Sequence, residues 1–409
     1  MRYRLLSSVF YENKLEYSEM YLDRFNGECV YRYNFDIKDN TAFVVINNDI
    51  FNKVDKIRTL DKELTLKTME LPLIALKQYT EKCLVDEIKM TNDIEGVVST
   101  RKEINEILHD DKENLKRNRF YGLVKKYQML VEKDIVLQKC SDIRDVYDEM
   151  VLEEVVEEVE DNAPDGEIFR KDKVYIKNRQ GNIIHEGILP EERIIELMSE
   201  SLKILNDEKQ NKLVSIAVFH YMFGYVHPFY DGNGRISRFI SSYLLSRELQ
   251  PLVSYRISYT IKRNIDLYYK SFKIANDDKN KGELTHFVNY FFDIIIESLE
   301  ELYSSLDERN NKLNYYGECI GAIVKFDEKD KTLLYILVQN VLFGDSGIDV
   351  KLLSSILELS DSKVRKILNK LNESEVITIQ KLGRKNIYDA DLEKLEALAD
   401  EFGVFSEIN

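Results

Sequence analysis

Residues 227–238, HPFYDGNGRISR, concentrate residue types that serve phosphate chemistry. His227 titrates near neutral pH and can accept a proton from an attacking hydroxyl. Asp231 offers hard carboxylate oxygens, which suit a Mg²⁺ ion shared with substrate phosphates. Arg235 and Arg238 stand three positions apart, so on a helix they lie on neighbouring positions of one face and suit a di- or triphosphate tail.

The stretch DGNG, residues 231–234, indicates the start of a helix that can bind an anion. The first N–H groups of a helix have no internal partner and carry the positive end of its dipole. Gly232 and Gly234 allow a phosphate to approach that backbone closely, and Asn233 can add a side-chain donor. An ordinary glycine-rich helix cap explains each of these residues singly. The whole set instead favours attack of a hydroxyl on a nucleotide phosphate.

Two helices have to position this segment. Lys212 to Val226 is apolar nearly all round, which predicts a buried helix ending at His227. Beyond the loop a second helix is predicted from near Gly232, and we expect Phe229 to point inward as an anchor between the two. The apolar residues of that second helix recur at helical spacing: Ile236, Phe239, Ile240, Tyr243 and Leu244.

The segment closely resembles the signature of the Fic family, His-x-Phe-x-Asp/Glu-Gly-Asn-Gly-Arg-x-x-Arg, and has every fixed position. The resemblance implies a mainly α protein whose helical Fic core transfers AMP from ATP to a hydroxyl of a target protein, releasing pyrophosphate. It implies that His227 is the base, that Asp231 binds Mg²⁺, that the Gly-Asn-Gly amides bind phosphate and that Arg238 lies near the γ-phosphate. Relatives transfer UMP, phosphate or phosphocholine, so the transferred group stays open.

A second segment, GEIFRKDKVYI from Gly166 to Ile176, looks like the lead-in to the Fic flap. It has one residue more than the family pattern between Gly166 and Phe169. The hairpin predicted over about Val174 to Ile184, with Ile188 and Leu189 just beyond it, is then the flap. Its strand edge could hold an extended target segment, although an ordinary surface hairpin has the same sequence pattern.

Further along the chain, SYTIKRNIDLYYKSF resembles the Fic helix that lines the nucleotide site. The resemblance implies that Asn264 and Tyr268 touch the ligand.

Glu95 ends a predicted helix, Glu70 to Glu95, where the helix dipole disfavours an anion. That placement costs about 0.3–1 kcal/mol unless a cation compensates, and an isolated Glu there would simply face water. However, TNDIEG, residues 91–96, matches the Ser/Thr-x-x-x-Glu-Gly/Asn inhibitory motif of the Fic family. The resemblance implies that Glu95 pairs with Arg238, displaces the γ-phosphate and so inhibits the enzyme. In some relatives the same Glu helps to remove AMP from the target.

The composition is that of a globular protein, with 44% hydrophobic and 32% charged residues in 409. A net charge of −15 argues against non-specific coating of nucleic acid by the whole molecule. Four widely spaced cysteines suggest free thiols in a reducing compartment. The N-terminal residues lack a signal-peptide pattern and no apolar run is long enough to span a bilayer, so a cytoplasmic protein without membrane contact is expected.

The chain is expected to have four parts: an N-terminal extension of residues 1–85 with a hairpin near 28–48, a Fic catalytic domain of 86–306, a polar linker of 307–330 and a C-terminal domain of 331–409. Within 86–306, further helices are predicted over 102–140, 143–157, 258–276 and 284–306. No internal repeat is evident.

The C-terminal domain shows three helical segments followed by a strand, a turn at Leu382-Gly383 and a strand, which predicts a winged helix-turn-helix. Residues 361–388 carry seven basic and three acidic side chains. That local excess permits DNA binding, although winged helices also serve as protein-binding or dimer modules and 331–409 as a whole is net acidic. A homodimer therefore stays open. The alternative to an enzyme is a DNA-binding regulator that senses a nucleotide through its Fic core.

Overall fold

The computed structural model describes residues 3–109, 118–177, 183–382 and 385–402. The chain forms two compact units. The first consists of Met1–Lys62 and Leu84–Glu300, and the second of Glu63–Cys83 and Glu301–Asn409.

The N-terminal half of the chain contributes eight described α-helices and two hairpins. The helices are α1 (Leu6–Glu12), α2 (Lys14–Asn26), α3 (Asn48–Met69), α4 (Leu73–Glu95), α5 (Arg101–His109), α6 (Tyr121–Gln128), α7 (Cys140–Tyr147) and α8 (Glu153–Glu158). The strands are β1 (Val30–Ile37), β2 (Asn40–Val45), β3 (Tyr175–Lys177) and β4 (Ile183–Glu186). Both hairpins are antiparallel, β1 with β2 and β3 with β4, as predicted.

The C-terminal half is also mainly helical. Its helices are α9 (Glu191–Asn206), α10 (Lys212–Val226), α11 (Asn233–Glu248), α12 (Ile257–Arg263), α13 (Ile265–Ala275), α14 (Thr285–Ala322), α15 (Glu328–Phe343), α16 (Val350–Leu357), α17 (Asp361–Glu373) and α18 (Leu392–Asp400). Its strands are β5 (Ile348–Asp349), β6 (Ile377–Leu382) and β7 (Lys385–Ala390), which form one antiparallel sheet in the order β5-β7-β6.

The core of the first unit surrounds α10 and α11, the two helices predicted to hold the site. Most of α10 is buried, which explains its apolar sequence, and it packs against α9 and α11. Asn211 caps its first turn, accepting hydrogen bonds from the amides of Leu213 and Val214. The prediction of a buried helix followed by a second helix is confirmed.

Three predicted helices end elsewhere. The helix expected over 102–140 is not continuous: α5 is described as far as His109, 110–117 lie outside the described residues, α6 covers Tyr121–Gln128, and 118–120 and 129–139 are not helical. The helix expected over 143–157 is continuous helical chain from Cys140 to Glu158, with a π-helical turn at Asp148–Leu152. The one expected over 258–276 is interrupted at Asn264, between α12 and α13.

The prediction of a linker over 307–330 is wrong for most of that segment. α14 runs from Thr285 to Ala322, and a capping box at Asp327 starts α15 directly afterwards. The segment has a helical face that its overall polarity conceals. Its buried residues are Leu313, Tyr316, Cys319, Ile320 and Ile323.

The division of the chain also differs from the expected one. The boundary at residue 85 falls inside α4, and Glu63–Cys83 groups with the C-terminal residues rather than with the N-terminal extension. α3, α4 and α14 each begin in one unit and end in the other. The expected boundaries follow changes in composition, but the chain at those positions is continuous helix.

The second unit contains the elements expected of its C-terminal part. The helices α15, α16 and α17 precede the hairpin β6–β7, and the short strand β5 adds to its edge. The apolar stripe of α17 is buried, as predicted: Val364, Ile367, Leu368 and Leu371. Of the turn expected at Leu382-Gly383, only Leu382 is described; Gly383 and Arg384 lie outside the described residues.

All four cysteines are free, in agreement with the sequence; Cys29 is exposed and the others are buried. None of the helices in the described ranges combines the length and apolarity needed to cross a membrane.

Candidate active site

His227 occupies the residue that ends α10. Its backbone is left-handed, with φ of 54° and ψ of 64°, and its N–H donates to the carbonyl of Phe223. This conformation is costly for a non-glycine residue, on the order of 1–2 kcal/mol. The turn reverses the chain directly after a rigid, buried helix and so fixes where the imidazole can lie.

The imidazole of His227 is set up to be neutral. Burial lowers its pKa to about 4, although the nearby charge of Glu95 acts in the opposite direction. The Nδ1 atom is buried, which leaves Nε2 for proton transfer. A neutral imidazole at physiological pH can accept a proton, which is the role that the sequence predicts for it.

The loop after His227 is held by its own side chains. Phe229 is fully buried and stacks on Tyr147 with ring centroids 3.8 Å apart, as the inward anchor predicted. The side chain of Asn233 accepts a hydrogen bond from the N–H of Phe229 and donates one to its carbonyl. Both polar atoms of the side chain thus brace the loop, and its Nδ2 keeps a second hydrogen. The expectation that this side chain adds a donor for an anion stays a prediction.

The carboxylate of Glu95 lies against the first turn of α11. Gly232 is in the left-handed conformation, with φ of 75°, and caps the helix. A Cβ atom at Gly234 would overlap with the carboxylate of Glu95, so that carboxylate lies directly against the first turn. A helix N-terminus favours negative charge there, as the sequence predicts for a phosphate.

Arg238 holds the same carboxylate. The Nη2 atom of Arg238 lies 2.6 Å from Oε1 of Glu95, and its Nε and Nη2 donate to the hydroxyl and carbonyl of Thr91. Its side chain is 1% exposed, whereas that of Glu95 is 28% exposed. Burial would raise the pKa of Glu95, but the charge of Arg238 outweighs it and lowers that pKa. The contact implied by the inhibitory motif is present.

Arg235 is paired with an acid of another helix. Its guanidinium forms an ion pair with Glu154 of α8, and the two side chains are 1% and 2% exposed. The role of Arg235 in phosphate binding therefore stays a prediction. A buried cation requires a partner, and the acid that provides it lies 81 residues earlier in the chain.

The two residues expected to touch the base of a nucleotide are engaged elsewhere. Asn264 donates to the carbonyl of Thr260 and to the carboxylate of Glu297. Tyr268 is 7% exposed, and its hydroxyl lies 2.8 Å from Nε2 of the buried His220. These contacts hold Nδ2 of Asn264 and the hydroxyl of Tyr268 within the protein, and the assignment of both side chains to a ligand pocket stays a prediction.

The hairpin β3–β4 lies beside the site, and its return segment pairs with the end of α10. The N–H of Ile188 donates to the carbonyl of Val226, and Leu189 follows before α9. The tip of the hairpin, residues 178–182, lies outside the described residues. The predicted flap segment is thus connected through its backbone to the helix that carries His227.

Two residues that the sequence reasoning missed hold the lead-in to the flap. The carboxylate of Glu191 accepts hydrogen bonds from three consecutive backbone N–H groups, those of residues 167–169. Arg170 is fully buried and donates to the carbonyl of His227. Its position directly after Phe169 in the lead-in is the sequence feature that could have identified Arg170 as a functional residue. The loop of residues 166–169 closes on itself from the N–H of Gly166 to the carbonyl of Phe169, and so accommodates the extra residue.

Asp231 is the metal ligand that the sequence predicts. It lies partly exposed on the loop beside α11, and its Oδ1 accepts the N–H of Gly232. Among the described residues, no three His, Cys, Asp or Glu side chains group to hold a metal ion. A single carboxylate fits Mg²⁺, which is commonly held by one or two carboxylates together with substrate phosphates and water.

The sequence model of the Fic/DOC family matches residues 139–245. Residues 139–245 are therefore similar to a Fic/DOC domain. The matched residues include the flap, His227, the loop and both helices of the site, whereas Glu95, Asn264 and Tyr268 lie outside them. The contact between Glu95 and Arg238 therefore joins the matched segment to a helix that precedes it.

Curated relatives include proteins named protein adenylyltransferase Fic. The one from Drosophila mojavensis is 33% identical over 139 residues, which cover 33% of this chain and 24% of the relative. The one from Drosophila ananassae is 27% identical over 267 residues, covering 62% and 49%. The chain thus spans between about a quarter and a half of the length of these relatives.

The fold has a solved counterpart. The crystal structure of a Fic family protein from Desulfovibrio desulfuricans G20 superimposes with a TM-score of 0.54 at 18% identity, covering 88% of this chain and 99% of that one. At this identity the likeness concerns the fold alone. In this chain the fold is mainly helical within residues 139–245 and outside them.

Proposed function

We propose that this chain is an autoinhibited protein adenylyltransferase that transfers AMP from ATP to a hydroxyl side chain of a target protein and of itself. The observation that carries the proposal is the carboxylate of Glu95, which lies on the first turn of α11 and is held by Arg238. This arrangement is an anion site occupied by an internal anion. The similarity to curated relatives named protein adenylyltransferase Fic supports the activity.

The chemistry follows from the positions of the side chains. The target hydroxyl oxygen forms a bond to the α-phosphorus of ATP, the bond from that phosphorus to the bridging oxygen breaks, and pyrophosphate leaves. Nε2 of His227 takes the hydroxyl proton. The backbone N–H groups at the start of α11 stabilise the phosphate charge, with Arg238 beside them once Glu95 has moved. Mg²⁺, when held by Asp231 and the phosphates, would neutralise further charge.

An intact His227 favours catalysis over nucleotide sensing alone. A sensor needs an anion site, but it does not need a neutral imidazole held at the end of a buried helix. The alternative of a regulator with a nucleotide-sensing core therefore leaves the most costly feature of the site, its left-handed histidine, without a purpose.

Mass spectrometry of the intact Glu95→Gly protein after incubation with ATP and Mg²⁺ tests the proposal. We expect a mass increase equal to one AMP group. Addition of phosphate alone would overturn the adenylyl assignment and indicate a relative that transfers another group. Parallel incubations with UTP and with CDP-choline test the UMP and phosphocholine alternatives, and we expect neither to modify the protein.

The second unit supports a second candidate function, DNA binding by a winged helix. Three basic residues of α17 are exposed, Lys363, Arg365 and Lys366, and Lys381 of β6 is exposed as well. None of the four forms an ion pair with the residues that the structure describes. Two other basic residues expected on this surface are neutralised instead, since Lys370 pairs with Asp330 and Lys385 with Asp349.

Binding of a fluorescent duplex of random sequence tests this second function. We expect the affinity to fall steeply with salt, and the double variant Lys363→Glu/Lys366→Glu to bind more weakly with a log–log salt slope reduced by about 2. Lys351→Glu, an exposed residue of α16, is the matched control. Equal binding by the double variant and the control would contradict DNA recognition through α17.

A further inference from the structure

Arg170 is a fully buried cation whose hydrogen bonds go only to backbone carbonyls. Its Nε donates to His227, its Nη1 to Asp172, and its Nη2 to Ile188 and Val226, at distances from 2.7 to 3.3 Å. Its own N–H donates to the carbonyl of Pro228. Within the described ranges no carboxylate forms an ion pair with it, in contrast to Arg235 and Arg238.

A buried guanidinium without an acid is costly, and burial lowers the pKa of Arg170. Two of its acceptors, the carbonyls of Val226 and His227, lie at the C-terminal end of α10. That end carries the negative pole of the helix dipole and its carbonyls lack internal partners, so a cation is favoured there. The backbone thus takes the place of an acidic side chain.

The guanidinium connects three separate segments. It binds the turn that carries His227, the return segment of the flap at Ile188, and the start of the flap at Asp172. Gly187 is shaped for this contact, because a Cβ atom there would overlap with Nη2 of Arg170 and with Val174. Planar, forked donors suit such a junction, whereas the single ammonium of a lysine cannot reach all of these acceptors.

We propose that Arg170 is a positioning residue that holds the flap and the imidazole of His227, the general base, at a fixed distance from each other. The inference rests on the proposed function, since it concerns the same reaction. The carbonyl that receives Nε belongs to His227 itself, so loss of the fork frees both the imidazole and the segment beside which the target hydroxyl must lie. A misplacement of about 1 Å costs on the order of 100-fold in rate.

The charge of Arg170 also reaches the base. The ring of His227 is faced by Glu95, whose charge raises its pKa, and by His185 of β4 and Arg170, which lower it. Removal of the charge at 170 should therefore raise the pKa of His227, whereas Arg170→Lys keeps the charge and loses the fork. The two variants separate positioning from electrostatics.

The test uses the full chain with Glu95→Gly, so that self-modification is measurable. We expect Arg170→Met and Arg170→Lys each to lower kcat for AMP incorporation by about 100-fold, with the KM for ATP within about twofold, because neither touches the phosphate-binding turn. An NMR titration of the His227 ring should show a raised pKa in Arg170→Met alone. Gly187→Ala, which pushes the guanidinium away without removing it, should reproduce the loss of kcat.

Arg144→Met is the matched control. Arg144 donates to the carbonyl of Ile168 in the same lead-in and pairs with Asp148, but it does not contact the turn of His227. We expect it to keep kcat. The inference is overturned if the Arg170 variants keep kcat, or if Arg144→Met lowers kcat to the same extent.

Failure of the proposed function is recognised separately. If Glu95→Gly itself incorporates no AMP, the adenylyltransferase proposal fails. The role of Arg170 is then decided by limited proteolysis of the flap and by the His227 titration. Faster cleavage between residues 171 and 188 in Arg170→Lys and Gly187→Ala, but not in Arg144→Met, supports the inference, and unchanged cleavage refutes it.

Discussion

Glu95→Gly is expected to increase incorporation of AMP into the protein by about 10- to 100-fold. The reason is the ion pair with Arg238, whose Nη2 lies 2.6 Å from Oε1 of Glu95 in a setting that is nearly closed to solvent on the arginine side. A hydrogen bond between charged groups in such a setting contributes about 1.5–3 kcal/mol, which ATP must overcome before its γ-phosphate can reach Arg238. The measurement is the initial rate of labelling from radioactive ATP with Mg²⁺.

Two further variants show whether the carboxylate is responsible. Asp93→Gly changes an acid to glycine on the same helix, but Asp93 pairs with Lys89 and does not contact Arg238, so it should leave labelling low. Glu95→Gln keeps the shape and a hydrogen-bond acceptor while removing the charge, so we expect an intermediate rate. If wild type and Glu95→Gly incorporate label equally, the contact is not a brake.

The elements that carry the site are the part of the fold that the sequence predicts best. α10 is apolar at almost every buried position, and the apolar residues of α11 recur at helical spacing. These patterns and the flanking caps identify both helices without knowledge of any partner. The linker expected at 307–330 shows the opposite case. Its composition is polar, and only the periodic placement of Leu313, Tyr316 and Ile320 reveals the buried face of α14.

Within the site, the sequence predicts residue types better than it predicts their partners. Asp231, Gly232 and Gly234 lie where the motif requires, because local spacing alone places them at the start of a helix. Arg235 and Arg238 are alike in sequence, yet one pairs with Glu154 and the other with Glu95. The acid that each arginine pairs with depends on how α4 and α8 pack, which is a property of the tertiary structure.

The same limit explains why the sequence does not predict the contacts of Arg170 and Asn233. The side chains of both residues form hydrogen bonds only with backbone groups. Neither periodicity nor charge pattern in the sequence predicts such contacts. A lone arginine in a lead-in segment suggests a surface charge, whereas the structure buries it completely. Backbone acceptors become visible only when the end of α10 is known to lie beside the flap.

His227→Ala is expected to abolish transfer, with a loss of at least about 1,000-fold when measured in the Glu95→Gly background, where the starting rate is high. Its imidazole is the proton acceptor that the geometry provides, and burial holds its pKa at about 4. Glu95 raises that pKa, so its removal lowers the value further and keeps the ring neutral. The kcat/KM of Glu95→Gly should therefore stay level from about pH 8 down to about pH 5 and fall only below that.

The control is His109→Ala, which removes an exposed histidine at the end of α5 and should change the rate little. Binding of ATP, measured by calorimetry, should survive in His227→Ala, because the first turn of α11 and Arg238 remain in place. Such a result would assign the loss to proton transfer rather than to a collapsed site. Labelling by His227→Ala at the rate of the Glu95→Gly parent would show that another group is the base. An acidic limb between about pH 6 and 7 would show instead that burial does not lower the pKa of His227.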